Sequence, residues 1–167
     1  VEPVQVDFSK AGLALCILDS GADHADLTDE YSWEEIEEIV PEGWRVASDE
    51  DWKNLEKALG MSLKEADKEG WRGGNVATLM MQKEEGTGFA LQLSGCAWQN
   101  GAYDKDIHLN SVNEYGYFWT STEDKDNELA VSMVWFRKIF ATQSTVYRGT
   151  SPLDILMRVR CCRDAQK

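Results

Sequence analysis

Long apolar runs and a surplus of basic residues are both missing from this chain of 167 residues. No apolar stretch approaches the ~20 residues that a helix needs to cross a bilayer. The chain has 17 Lys and Arg residues against 30 Asp and Glu residues, a formal net charge of −13 at pH 7. A charge of that sign repels nucleic-acid phosphates and anionic membrane surfaces. We therefore expect no nucleic-acid partner and no membrane insertion by this segment.

Motifs for metal binding and nucleophilic catalysis are lacking as well. The four cysteines do not have the paired CxxC spacing of zinc sites. They are Cys16, Cys96, Cys161 and Cys162. His24 and His108 lie in polar surroundings, and no motif links either to a nucleophile. No carboxylate pair stands out for sugar hydrolysis. We predict no metal, no cofactor and no catalytic residue, so the chain is not expected to be an enzyme; disulfide pairing stays open.

The length and composition of the chain fit one domain. Residues 1–167 are 43% hydrophobic and contain three prolines, which is enough apolar material for a single substantial core. Acidic residues are concentrated at 19–69, and basic residues at 137–167. Because runs of like charge usually lie in water, we predict that the acidic run forms a solvated face.

Three segments in the first half of the chain carry helix signals. Each begins with a serine that is followed three residues later by glutamate or aspartate, the capping-box pattern that satisfies N–H groups of the first turn. In the first two segments apolar residues then recur at helical spacing. The predicted helices cover residues 32–40, 48–59 and 62–68, and they end before Pro41, Gly60 and Gly70.

Two tryptophans bracket a tight turn in the stretch PEGWRVASDEDWKNL. We interpret Trp44 and Trp52 as core anchors, because a large buried aromatic ring dominates the local energetics. Arg45 between them is predicted to pair with a carboxylate or to bind backbone carbonyls. Glu50 and Asp51 fall in the first turn of a predicted helix, where the helix dipole favours acids, so they need no catalytic role.

Alternating apolar residues predict strands in the second half of the chain. The alternation covers residues 89–93, 129–135 and 155–161, and an apolar run at 12–19 predicts a further strand near the start. Residues 95–128 are rich in Gly, Asn, Asp and Tyr and are too long for an ordinary connection. We therefore interpret them as a long loop region that forms a functional surface, and we predict a structural role for Trp119 within it.

Four motifs appear in a recognisable order: YSWEEIEEIVPEGWRVASDEDWKNLEKALG, GTGFALQLSG, YFWTSTE and MRVRCCRD. In this respect the chain resembles the Fibrobacter succinogenes major paralogous domain, common in surface and secreted proteins of Bacteroidota. The resemblance is strongest over residues 31–164. It implies an α+β, C-type-lectin-like fold, with two main helices packed on irregular antiparallel strands and long loops. Members often carry a cysteine where this chain has Val40, so Cys161 lacks its expected partner.

The resemblance also implies a location and a type of function. We expect an extracellular or cell-surface protein, and Val1 in place of an initiator methionine fits a leader that has been removed. The calcium-binding triplets of true lectins are absent. The oxygen-rich runs YDKDIHLN and EDKDNE lack the spacing of a known calcium loop, so they are predicted to be solvated turns.

The positive evidence for function is a group of aromatic, amide and carboxylate side chains in the stretch CAWQNGAYDKDIHLN. Such groups stack on sugars or anchor protein contacts. The predicted ligand-binding residues are Trp98, Gln99, Asn100, Tyr103, Asp104, His108 and Asn110, although Trp98 fits a core position equally well. The predicted function is noncatalytic recognition of a glycan or protein through residues 95–128. The alternatives are an architectural domain of a larger surface assembly, and an enzyme related to formylglycine-generating oxidases or a hydrolase.

Overall fold

The computed structural model describes residues 4–8, 13–19, 33, 42–82, 91, 93, 96–98, 108–110, 114–128, 131–153 and 155–164. In chain order the elements are β1 (Val4–Phe8), β2 (Leu13–Asp19), β3 (Arg45–Val46), α1 (Asp49–Ala58), α2 (Leu63–Ala66), β4 (Gly70–Arg72), α3 (Val76–Met81), β5 (Cys96–Trp98), β6 (His108–Asn110), β7 (Tyr115–Glu123), β8 (Met133–Phe140), β9 (Val146–Pro152), β10 (Ile155–Leu156) and β11 (Arg158–Asp164). Helices and strands are therefore mixed, as the α+β prediction requires.

The described strands form two sheets. The larger sheet has eight strands in the order β1-β2-β11-β7-β8-β9-β4, with β3 beside β11. Its pairs are antiparallel apart from β11 and β7, which run parallel. The smaller sheet has three strands in the order β10-β5-β6. Because β2 and β11 pair, segments near the two ends of the chain meet in the larger sheet.

Helix α1 confirms the second predicted helix at both of its ends. The Ser48 hydroxyl accepts a hydrogen bond from the Asp51 N–H, and the Asp51 carboxylate accepts one from the Ser48 N–H, each at 3.0 Å. This reciprocal capping box satisfies two N–H groups that no helical carbonyl reaches. Gly60 follows the helix with φ of +113°, a left-handed conformation that glycine adopts without strain.

The other helix predictions are corrected or lie outside the described residues. Helix α2 has the predicted capping box at Ser62 and Glu65, but it ends after four residues. Gly70 begins β4 instead of ending a helix. Of the predicted helix at residues 32–40, the structure describes Trp33 alone.

Apolar side chains cover both faces of the larger sheet. One cluster includes Trp52 and Leu55 of α1 together with Phe118, Ile139 and Val146 of the strands. A second cluster contains Val46, Trp119, Val134, Phe136, Met157 and Val159. Trp119 is 0% exposed, which confirms its structural role.

The strand predicted at residues 129–135 is wrong in its position and in which of its residues face the core. The observed strand β8 is Met133–Phe140, and the described residues Val131 and Ser132 precede it outside any strand. Within β8, Val134 is 0% exposed, whereas Met133 and Trp135 are half-buried. The hydrophobic alternation was extended across the end of a turn, and a shift of one residue exchanges the two faces of a strand.

The remaining strand predictions have different outcomes. Strand β2 confirms the run at 12–19, and β10 and β11 together confirm the prediction at 155–161. At 89–93, the described residues Leu91 and Leu93 belong to no strand. Leu91 instead donates its N–H to the Met80 carbonyl at 2.9 Å and packs in the core.

The interpretation of residues 95–128 as one long loop region is also wrong. The segment contains β5, β6 and β7, and β7 lies between β11 and β8 in the larger sheet. Strand β7 has three consecutive buried residues, Phe118, Trp119 and Thr120, instead of a clear alternation. That irregular pattern, together with the bulge between Trp119 and Glu123, departs from the two-residue alternation that predicts a strand.

Buried charges attach α1 to the sheet. Glu56 is 0% exposed and pairs with Arg72 at 2.7 Å and with Arg137 at 3.1 Å. Asp49, 5% exposed, pairs with Arg137 at 2.7 Å and with Arg148 at 2.8 Å. The predicted solvated acidic face is therefore wrong for these acids, because Arg72 and two arginines from the basic part of the chain neutralise them inside the domain.

The stability of the protein is expected to depend on pH through Asp49. Burial alone would raise the pKa of this carboxyl, but the hydrogen bonds and charges of Arg148 and Arg137 outweigh burial and lower the pKa from 3.8 to about 2. A carboxyl whose pKa is lower in the folded state stabilises the protein fully at pH values above its unfolded pKa of 3.8. This stabilisation is lost as the pH falls through the folded pKa of about 2. The contribution is about 2 kcal/mol.

Urea unfolding of the wild type and of Asp49→Asn between pH 5 and pH 2 tests this expectation. Asparagine has no charge at any of these pH values, so the difference in unfolding free energy between the two proteins should shrink as the medium becomes more acidic. A difference that stays constant over this range would contradict the lowered pKa.

Candidate functional site

An open cleft of about 640 Å³ lies beside the turn that joins β7 to β8. Its walls are formed by residues 121–126, by Trp33, by Trp135 of β8 and by Arg148 of β9. Strand pairing brings Trp135 and Arg148 together beside the end of β7, and a side-chain hydrogen bond to β7 holds Trp33 there. The cleft combines two indole rings with hydroxyl, carboxylate and ammonium groups.

Hydrogen bonds to the end of β7 position both tryptophans of the cleft. The Trp33 Nε1 donates to the Thr120 carbonyl at 3.0 Å. The Thr120 hydroxyl donates to the Trp135 carbonyl at 2.8 Å and thereby joins β7 to β8. Both tryptophans are half-buried, so each is anchored in the protein while part of its surface faces solvent.

Arg148 forms a rigid part of the cleft. Its guanidinium carbon lies 3.8 Å from the ring centroid of Trp135, a cation–π contact. Its Nη2 donates to the Asp49 carboxylate at 2.8 Å, its Nε donates to the same group at 3.1 Å, and its Nη1 donates to the Asp67 carbonyl at 2.9 Å. The charge of Arg148 is therefore compensated within the protein, and the arginine supports the Trp135 ring.

The acidic rim of the cleft is an ordered turn. The Asp124 Oδ1 accepts from the Asp126 N–H at 3.1 Å, and the Asp124 carbonyl accepts from the Asn127 side-chain amide at 2.8 Å. Such Asx-type bonds fix a turn by local geometry. Glu123, Lys125 and Asp126 are exposed, so the EDKDNE run is a solvated turn as predicted. Within the described ranges, no group of three or more potential metal ligands occurs.

The helix N-terminus beside the cleft is held by the same strand end. The Asp49 N–H donates to the Thr122 hydroxyl at 3.0 Å, which joins α1 to the wall of the cleft. The Thr122 N–H donates to the Thr120 hydroxyl at 3.1 Å. The cleft is thus attached directly to the buried charges that hold α1, and this connection favours a preformed shape.

Three of the predicted ligand-binding residues lie in strands of the smaller sheet. Trp98 is in β5, and His108 and Asn110 are in β6. Strand pairing places Trp98 opposite His108 and places Cys96 opposite Asn110. The other four predicted residues, Gln99, Asn100, Tyr103 and Asp104, lie outside the described part of the chain.

The sequence interpretation included residues 121–126 in its functional segment but missed the other residues that line the cleft. Trp33 and Trp135 were assigned to the apolar positions of a helix and a strand, and Arg148 belongs to no motif. One available signal was the oxygen-rich run that begins at Glu123 directly after the motif YFWTST. An aromatic strand that ends in an acidic turn indicates a polar surface beside exposed rings.

Two neighbouring thiols are buried beside the first turn of α1. Cys161 and Cys162 are adjacent in β11 and are both buried. The Cys162 Sγ donates to the Asp51 carboxylate at 3.4 Å, and burial raises the pKa of this thiol far above its usual range. Asp51 also accepts from Arg45 at 2.8 Å, which confirms the carboxylate partner predicted for that arginine. A protonated, buried thiol is a poor nucleophile.

The described residues define a mixed α/β domain with a cleft lined by aromatic and polar groups. The family model of the Fibrobacter succinogenes major domain matches residues 14–163, so the chain belongs to this family. Comparison with curated proteins and with solved structures gives no significant match. In the described part of the chain, no helix is long and apolar enough to cross a membrane.

Proposed function

We propose that this chain is a noncatalytic recognition module of a secreted or cell-surface protein and that it binds a glycan in the cleft. The observation that carries the proposal is the presence of Trp33, Trp135 and several fixed hydrogen-bonding groups around one open cavity. Sugars have apolar C–H faces and polar edges, so they match a site that offers both kinds of group. The C-type-lectin-like fold belongs to the same proposal and is supported by α1 packed on a largely antiparallel sheet.

The charge of the cleft favours a glycan without acidic groups. Among the described lining residues, Glu123, Asp124 and Asp126 lie at its rim, against the ammonium of Lys125. Arg148 adds little positive charge, because Asp49 pairs with it through two hydrogen bonds. An anionic ligand would meet a locally negative rim, and like charges repel at this range.

The cleft coincides with a small part of the surface that the sequence suggested. Residues 121–126 lie within the segment 95–128, and the first three of them are the end of strand β7. The side chains of Asp124 and Thr122 already hold the turn and the helix, so the site is largely formed before a ligand arrives. A preformed site loses less conformational entropy on binding.

Buried thiols and a structural carboxylate argue against the enzyme alternatives. An oxidase of the formylglycine-generating type uses a reactive cysteine pair, whereas Cys162 is buried with a raised pKa. A hydrolase needs two carboxylates free to exchange protons and activate water. In the cleft, Asp124 uses Oδ1 to accept the Asp126 N–H of its own turn.

A neutral-glycan array with the purified chain, followed by titration of each hit, tests the proposal. Trp135→Ala and Asp126→Ala are each expected to weaken binding by about 1 kcal/mol or more, because they remove a stacking ring and a rim acceptor. Trp71→Ala is the matched control, since Trp71 is an exposed tryptophan of β4 that does not line the cleft.

Two results would contradict glycan recognition by this cleft. Failure of the chain to bind any neutral glycan at millimolar concentration would favour the architectural alternative. Binding that is lost in Trp71→Ala and retained in Trp135→Ala would place the glycan on a different surface. Thermal unfolding of each variant distinguishes lost contacts from lost structure.

A further inference from the structure

A second cavity, of about 370 Å³, lies against the same turn between β7 and β8 as the cleft. Its walls are residues 123–125, Asn127 and residues 131–133. Residues 123–125 line both the cleft and this second cavity, so the two spaces are neighbours. Their volumes both fall within the range of about 300–1,000 Å³ that is typical of small-molecule sites.

Strand β8 connects the two spaces along one face of the larger sheet. Trp135 lines the cleft, Met133 lines the second cavity, and the two residues are two positions apart on β8. Side chains at this separation point to the same face of a sheet and lie about 7 Å apart along the strand. Both are half-buried, so each is packed against the protein while part of its surface is exposed. A ligand that lies along this face can therefore contact both.

Hydrogen bonds at Asp124 fix the turn that the two spaces share. The Asp124 N–H donates to the Met133 carbonyl at 2.8 Å, which joins the residue after β7 to the first residue of β8. The Asp124 Oδ1 accepts from the Asp126 N–H, and the Asp124 carbonyl accepts from the Asn127 side-chain amide. The second cavity is therefore largely preformed, like the cleft, and a preformed site loses less conformational entropy on binding.

The second cavity offers both apolar and polar contacts. Val131 is 57% exposed, and Met133 beside it is half-buried. Ser132, Glu123 and Lys125 are exposed and provide a hydroxyl, a carboxylate and an ammonium. A sugar ring has an apolar C–H face and hydroxyl groups at its edge. A ring that lies on the two apolar side chains can therefore exchange hydrogen bonds with the groups around them.

We propose that the site binds a neutral oligosaccharide along its length, with sugar units of one chain in the cleft and in the second cavity. This inference rests on the proposed function of the cleft and specifies the size of its ligand. Trp135 provides the stacking ring for one unit, and Val131 provides an apolar contact for a unit farther along the chain. A single sugar contacts one of the two spaces, so the site favours a chain of units over a monosaccharide.

The apolar part of the second cavity suits a sugar ring better than a protein partner. A stable protein interface buries about 800 Å² on each partner around an apolar centre. Among the described residues, the exposed large hydrophobic side chains are Leu63, Trp71 and Val131, and Val131 is the one that lines this cavity. One valine and part of one methionine, surrounded by polar groups, are comparable in extent with the face of one sugar ring.

Calorimetric titration of the full chain with oligosaccharides of increasing length tests the proposal. The probes are the laminari-, manno- and xylo-oligosaccharide series, each from the single sugar to the hexamer. Affinity should rise about tenfold or more with length and then reach a plateau when both spaces are filled, because each added unit makes further contacts.

Variants of the second cavity test where the longer oligosaccharides bind. Val131→Ala should lower affinity for the plateau oligosaccharide about twofold to fivefold, because it removes apolar contact. Ser132→Gln places a longer side chain in the cavity and should reduce the gain of affinity with length. Trp135→Ala should weaken binding at every length. Leu63→Ala is the matched control and should change little, since Leu63 is 69% exposed and lines neither of the two spaces as described.

Three outcomes would overturn the proposal, and they separate it from the proposed function. If Trp135→Ala weakens binding but affinity does not change with length, the cleft binds a glycan without the second cavity. If Val131→Ala and Ser132→Gln both leave the gain with length intact, the chain leaves the cleft in another direction or repeated units raise the affinity by their number. If none of the series binds at millimolar concentration, this proposal fails together with glycan binding by the cleft. Thermal unfolding of each variant distinguishes lost contacts from lost structure.

Discussion

Replacing Glu56 by glutamine is expected to lower the free energy of unfolding by about 3–5 kcal/mol. The Glu56 carboxylate is 0% exposed and accepts two hydrogen bonds from Arg72, at 2.7 Å each, and two from Arg137, at 3.1 and 3.2 Å. Glutamine has nearly the same shape, but it carries no charge and replaces one acceptor oxygen with an N–H₂ donor. Each carboxylate oxygen accepts one hydrogen bond from each arginine, so two arginine N–H groups then face a donor, and two buried cations lose their shared counter-charge.

Urea unfolding at neutral pH measures the loss, and Glu50→Gln is the matched control. Glu50 lies in the same helix but is exposed, so its replacement makes the same chemical change without removing a buried partner. Substitutions at exposed sites usually change stability by less than about 0.5 kcal/mol. Equal stability of the two variants would show that the Glu56 pairs contribute nothing measurable to the attachment of α1.

Trp52→Ala is expected to cost about 3–5 kcal/mol, because it removes a large side chain from a close-packed core. Trp52 is 2% exposed, and its ring centroid lies 5.9 Å from that of Phe118 on the sheet beneath. The ring also lies 6.0 Å from the guanidinium carbon of Arg137. The substitution leaves a cavity between α1 and the sheet and removes a contact of the buried charges.

Trp44→Ala is the comparison that separates the two tryptophans of the PEGWRVASDEDWKNL stretch. The sequence interpretation made both of them core anchors, but Trp44 is half-buried. Its replacement should therefore produce a smaller loss of stability than Trp52→Ala. Calorimetric melting of both variants checks the order. A larger effect at Trp44 would mean that the turn, more than the helix face, determines the packing of this region.

The helix ends and the family could be predicted from the sequence, because a helix end depends on residues close together in the chain and the family on the order of short motifs. The capping box of α1 joins Ser48 to Asp51, three residues apart, and the same pattern recurs at Ser62 and Glu65. Side chains and N–H groups this close meet in any chain that begins a helix at that point. The order of short motifs likewise needs no folding, and the match over residues 14–163 confirmed the family that they indicated.

The sheet order, the buried charges and the cleft were decided by tertiary structure. Glu56 and Arg137 are 81 residues apart, and Asp49 and Arg148 are 99 apart, so nothing in the local sequence distinguishes these pairs from solvated charges. The residue at which the preceding turn ends determines where β8 begins. A shift of one residue exchanges the two faces of a strand, so it also determines which side chains of β8 face the core. Trp33 and Trp135 line one cleft because Thr120 of strand β7 bonds to both: its carbonyl accepts from the Trp33 side chain, and its hydroxyl donates to the Trp135 carbonyl. Local sequence determines how each segment begins and ends, whereas contacts between segments distant in the chain determine which of their side chains meet.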